Sequence, residues 1–102
     1  MSTVERVRIE VLVDAPLVGR VTEAAKASGV TGYTLLPTLG GYGNGGAWSD
    51  DQVTGAEAKV LFLTVAAPER AAALVDALRP LLESHGLIVL QSAVNVVRGN
   101  KF

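Results

Sequence analysis

One stretch of this chain limits its fold more than any other: Lys59-Val60-Leu61-Phe62-Leu63-Thr64-Val65. A short run rich in β-branched and aromatic residues reads as a strand, and successive side chains of a strand point to opposite faces. Here both faces are apolar, with Val60 and Phe62 on one and Leu61, Leu63 and Val65 on the other. At roughly 25 cal/mol per Å², leaving several such side chains in water costs several kcal/mol. The sheet that holds this strand therefore needs cover on both sides. A chain of 102 residues can cover one face with its own helices. The other face calls for self-association.

The remaining elements follow from periodicity. Val7, Ile9, Val11 and Val13 alternate with Arg6, Arg8, Glu10 and Leu12, the period of a strand. Asp14-Ala15-Pro16 interrupts it, with Asp14 placed to cap a helix and Pro16 suited to its first turn. Leu17, Val21, Ala24 and Ala25 then fall at helical spacing, and Gly29 is the stop. Tyr33-Thr34-Leu35-Leu36 reads as a second strand, and Pro37 assigns its far end to an edge or a bulge. Residues 59–65 are the third strand. Pro68 to about His85 is a second helix, with Ala71, Leu74, Val75, Leu78 and Leu82 as its buried stripe. Pro80 falls on the solvent side, Gly86 ends the helix, and Leu87 to Val97 is the fourth strand. The order βαββαβ predicts a single α+β domain over 1–102, a ferredoxin-like sandwich with two helices on one face of a four-stranded antiparallel sheet.

Residues 40–57 form a long connection between the second and third strands. It is glycine-rich, nearly free of aliphatic side chains, and contains the only Trp. Long loops without secondary structure are uncommon in small domains and usually functional. Tyr42, Trp48, Asp50 and Asp51 are its candidate partner-facing residues. Trp48 has three possible uses: an anchor for a partner, a lid on a ligand, or packing against its own subunit.

Several chemistries are excluded. Nine Lys and Arg against ten Asp and Glu, a net charge of −1, argue against a nucleic-acid footprint. The chain has no Cys, so it has neither a disulfide framework nor a thiolate metal site. The single His85, beside Gly86, suits the negative end of a helix dipole better than catalysis. Asp50-Asp51 reads as a solvated pair, and no metal is expected. An enzyme of this topology, a small dimeric monooxygenase or isomerase, would have only Asn95 to offer its cleft. No signal peptide and no membrane-length apolar run are visible, so a cytoplasmic location is expected.

Three motifs occur in register. Gly29-Val30-Thr31-Gly32-Tyr33-Thr34-Leu35 resembles the end of helix one and start of strand two in the PII (nitrogen regulatory P-II) signalling proteins. Gly41-Tyr42-Gly43 resembles the Gly-Phe-Gly that opens their T-loop, and Gly55-Ala56-Glu57 matches the Gly-Ala-Glu that closes it. The resemblance implies a non-enzymatic homotrimer that binds adenine nucleotides between subunits and contacts a target protein through the T-loop. It implies Thr34 beside the adenine, Gly41 and Gly43 at the phosphates, and Arg98 in a phosphate clamp, with Lys59 and Lys101 as further cations and Arg20 as another candidate. The sequence also departs from the family pattern. Asn44 stands where an arginine is expected and Gly45 near the glutamine linked to 2-oxoglutarate. The modifiable tyrosine is missing, and no Lys or Arg occurs between Lys26 and Lys59. The glycine- and lysine-rich loop before the last strand is missing too, since Glu83-Ser84-His85-Gly86 runs straight into Leu87. Charge-assisted hydrogen bonds are worth about 1.5–3 kcal/mol each. Losing them favours ADP or AMP over ATP. This reduced pattern resembles the PII-like proteins linked to carboxysomes and bicarbonate transport more than nitrogen-sensing PII. It implies bicarbonate as a further ligand and a transporter or carbon-metabolism protein as the target.

Overall fold

The computed structural model describes residues 3–43, 46–49 and 58–97. Strand β1, Val4–Asp14, runs into a 3-10 turn at Ala15–Leu17 and helix α1 at Val18–Ala27. Strand β2 is Thr34–Pro37, and β3 (Gly40–Gly43) and β4 (Gly46–Ser49) follow it. Strand β5, Lys59–Ala66, leads to helix α2, Pro68–His85, and strand β6, Ile88–Val96.

The main sheet is antiparallel in the order β2-β5-β1-β6. The most apolar strand, β5, is thus interior, as a strand that cannot leave either face in water must be. Strand β2 is an edge that ends at Pro37, where a residue without an N–H donor costs no ladder bond. The register pairs Val11 with Phe62 and Ile9 with Thr64, which sets one parity of side chains toward the helices. Ile9, Val11, Val13 and Phe62 from the sheet meet Val21 and Ala25 of α1 and Ala71, Leu74 and Leu78 of α2 in one core. Helix α1 ends where Gly29 takes φ +81°, and α2 ends at Gly86 with φ +63°, a left-handed cap that suits glycine. Pro80 lies on the exposed side of α2.

The opposite parity of side chains forms the outer face. One row across the sheet is Leu36, Leu61, Leu12 and Ile88; the next is Thr34, Leu63, Glu10 and Leu90. Leu36, Ile88 and Leu90 are exposed, and among the described residues no helix covers this side. Within it Arg8 pairs with Glu10 at 3.1 Å. The apolar second face expected from residues 59–65 is present.

Two expectations are corrected. Asp14 does not cap a helix through its side chain: the helix proper begins at Val18, after the 3-10 turn, and the Asp14 carboxylate accepts a hydrogen bond from Lys59 instead. The connection expected to lack secondary structure is folded over its first part, where β3 and β4 pair as an antiparallel ribbon. Residues 50–57 lie outside the described residues.

Candidate functional site

The chain leaves the sheet after Pro37 and returns at Lys59, and the two ends are tied together in a neck. The Thr38 hydroxyl donates to the Lys59 carbonyl at 2.7 Å, and the Thr38 N–H donates to the same oxygen at 3.3 Å. The Ala15 N–H donates to the Ala58 carbonyl at 2.9 Å, which joins the end of β1 to the returning strand.

Trp48 seats the β3–β4 ribbon on this neck. Its indole Nε1 donates to Thr38 Oγ1 at 3.0 Å, and the Lys59 ammonium lies 5.2 Å from its ring centroid. The same ammonium meets Asp14 Oδ1 at 2.5 Å. Asp14 and Lys59 are register partners on β1 and β5, an opposite-charge cross-strand pair. Each contact is modest. A cation over a partly exposed ring is worth about 1 kcal/mol and a neutral hydrogen bond about 0.5–1.5 kcal/mol. With the side chains 31% and 42% exposed, the ion pair belongs to the solvent-screened class worth about 0–1 kcal/mol.

Glycine is required where the ribbon meets the ring. Gly41 lies opposite Trp48, and a Cβ there would sit 2.3 Å from the ring atom Cη2. Gly40, at φ +156°, would bring a Cβ within 2.6 Å of the Trp48 carbonyl oxygen. A Gly41→Ala variant is therefore expected to push the indole off the neck. The readout is a red shift in the emission of this sole Trp, together with faster proteolysis within residues 40–49; unchanged emission contradicts the packing.

The structure brings together three of the residues singled out from sequence, Gly41, Trp48 and Lys59. It adds Thr38 and Asp14, which the sequence reading did not place at a site. Gly41 serves the Trp48 ring here, whereas Gly43 has open space around its Cβ position and no positive φ. Tyr42 is 85% exposed on the ribbon, with Leu39 nearby in sequence at 81%. Thr34 lies on the outer face of β2 opposite Leu63, four positions along β5 from Lys59, or about 13 Å at strand rise. Arg98, Lys101, Asp50 and Asp51, like Asn44 and Gly45, fall outside the described residues. Asn95 is exposed near the end of β6, opposite Glu5. His85 ends α2, its Nδ1 2.6 Å from the Ser84 hydroxyl. Among the described residues no group of three potential metal ligands is found, and no helix is long and apolar enough to cross a membrane.

The family model of nitrogen regulatory protein P-II matches residues 6–101. The chain belongs to the P-II family. Its fold agrees with that membership. No curated protein matches the sequence. Among solved structures, CPII, a nitrogen regulatory PII-like protein from Thiomonas intermedia K12 bound to ADP, AMP and bicarbonate, superposes with a TM-score of 0.89. It is 22% identical, over 99% of this chain and 96% of that one. A candidate PII-like signaling protein from Thermus thermophilus gives a TM-score of 0.84 at 24% identity, over 100% and 99% of the two chains. The B. subtilis GlnK–ATP complex gives 0.63 at 10% identity, over 88% and 82%. In fold, this P-II member is nearer to the PII-like proteins than to GlnK.

Proposed function

We propose that this P-II family member is a non-enzymatic sensor of adenine nucleotides. It assembles as a homotrimer through the apolar outer face of its sheet and binds ADP or AMP in the clefts between subunits. Bicarbonate acts as a further ligand, ATP is the weaker nucleotide, and no prosthetic group is needed. Thr34, Gly41, Gly43, Lys59, Arg98 and Lys101 are the residues assigned to the nucleotide. The tied neck is the base of the T-loop. Ligand state biases that loop, and a cytoplasmic target, a transporter or a carbon-metabolism protein that acts with or near carboxysomes, reads it through Tyr42, Asp50 and Asp51.

The observation that carries this reading is the fold match over 99% of the chain to a PII-like protein bound to ADP, AMP and bicarbonate. The scarcity of Lys and Arg in the stretch of sequence that forms the neck and loop supports the preference for the shorter phosphate chains. Between Lys26 and Arg70, Lys59 is the only basic residue. A triphosphate has few charge-assisted donors to meet there.

Isothermal titration tests it. ADP and AMP are expected to bind in the micromolar to millimolar range, with bicarbonate altering the affinity and ATP binding more weakly. Arg98→Ala is expected to reduce ADP affinity by roughly tenfold, the loss of one charge-assisted contact. The absence of heat with all three adenylates, with and without bicarbonate, would refute the reading.

A further inference from the structure

The use made of Asp14 points to a latch in the neck. Asp14 stands where a helix cap is expected, yet its side chain makes no capping hydrogen bond and reaches Lys59 instead. Lys59 in turn lies over Trp48, which is seated on Thr38 and Gly41. A single ammonium group therefore connects the body of the domain, through β1, to the ribbon that begins the T-loop. Both ends of the ion pair sit on paired strands at matched register, so the sheet itself holds them in place. Both side chains also remain partly open to solvent, so the pair can exchange.

We propose that Asp14 is an internal stand-in for the oxyanion of the ligand: it and Trp48 hold Lys59 in the ligand-free protein, and an arriving phosphate or bicarbonate takes Lys59 from both. This rests on the adenylate reading above, in which Lys59 meets the ligand. Taking the ammonium from the ring removes one of the contacts that seat Trp48, while the Thr38 hydrogen bond and the Gly41 packing remain. Ligand charge is thereby converted into a looser ribbon. A carboxylate and a phosphate oxygen make the same kind of bond to an ammonium, so they exclude one another at Lys59. An exposed ion pair is the weaker of the two competitors.

The test has a ligand-free arm and a ligand arm. In the ligand-free arm, Lys59→Met is expected to red-shift the emission of Trp48 and to speed proteolysis within residues 40–49, with the far-ultraviolet circular dichroism unchanged. Emission identical to the unmodified protein overturns the latch. In the ligand arm, Asp14→Asn is expected to tighten ADP binding by about two- to fivefold, the scale of losing an exposed competing ion pair. ADP added to the unmodified protein is expected to move Trp48 emission toward that of Lys59→Met. Bicarbonate alone producing the same shift identifies it as the competing oxyanion; a shift with ADP only identifies the phosphate. Equal or weaker ADP binding by Asp14→Asn overturns the competition and makes Asp14 a residue that positions Lys59 for the ligand. If the unmodified protein binds no adenylate, the sensor reading and the competition both fail. The latch is then decided by the Lys59→Met emission alone.

Discussion

Phe62→Ala is expected to destabilise the protein by about 3–5 kcal/mol, the usual cost of emptying a large aromatic site in a packed core. Phe62 is fully buried, on the interior strand β5, with Val11 and Leu35 as its register partners on either side. Tyr33 stacks on its ring at a centroid distance of 5.1 Å. Truncation thus removes contacts to both neighbouring strands and to the ring that shields the core at the β2 edge. The surroundings cannot refill the space without moving a strand. Urea denaturation at fixed protein concentration measures the loss. Tyr42→Ala provides the control, since its side chain stands in solvent and its replacement is expected to stay within about 0.5 kcal/mol. A Phe62→Ala midpoint no lower than the control would contradict the core as described.

Leu61→Glu is expected to leave a folded chain that no longer assembles. Leu61 lies between Leu36 and Leu12 on the outer face, in the row that ends at Ile88. In a trimer closed over that face, each subunit would lose about 1.5–3 kcal/mol of burial and would have to desolvate a carboxylate. Three copies of this change act on a single assembly, so the effect multiplies with the symmetry. Light scattering after size exclusion is expected to change from trimer to monomer, with helix and strand content retained. ADP binding is expected to fall with it, because the proposed clefts lie between subunits. A trimer that survives the substitution would place the interface elsewhere.

The body of the fold was legible because its elements carry clean periods. The alternation from Val7 to Val13 predicts β1, the stripe from Ala71 to Leu82 predicts α2, and the doubly apolar Lys59–Val65 run requires an apolar second face on the sheet; its interior position comes from the strand order. The neck was not legible, for physical reasons that differ from residue to residue. In β3 glycine replaces the side chains whose alternation would announce a strand, and the four residues of β4 are too few to show a period. The signal that was present is Asn44-Gly45, the dipeptide that most strongly favours a tight hairpin. Asp14 satisfied two local rules at once, as a helix cap and as a cross-strand partner of Lys59. Only the pairing of β1 with β5 decides between them. Thr38 carries no periodic signal; its role depends on where the chain returns. Gly41 is expected from the family resemblance at the phosphates, and the structure adds a packing need that no sequence pattern carries, room for the Trp48 indole.

The order of the strands has a consequence for how this chain comes to be folded. Strand β1 lies between β5 and β6, so its partners, residues 59–66 and 88–96, are both distant in sequence. Antiparallel pairing at such separations requires large loops to close first, and sheets dominated by non-local pairs form slowly. During synthesis the first eleven-residue strand must wait, unpaired and apolar along one face, until more than half of the chain has been made. The β3–β4 ribbon has no such delay. Among the described strands it is the only pair joined by neighbours in sequence. It is thus the first piece of sheet that can exist, formed before the framework to which Trp48 later fastens it.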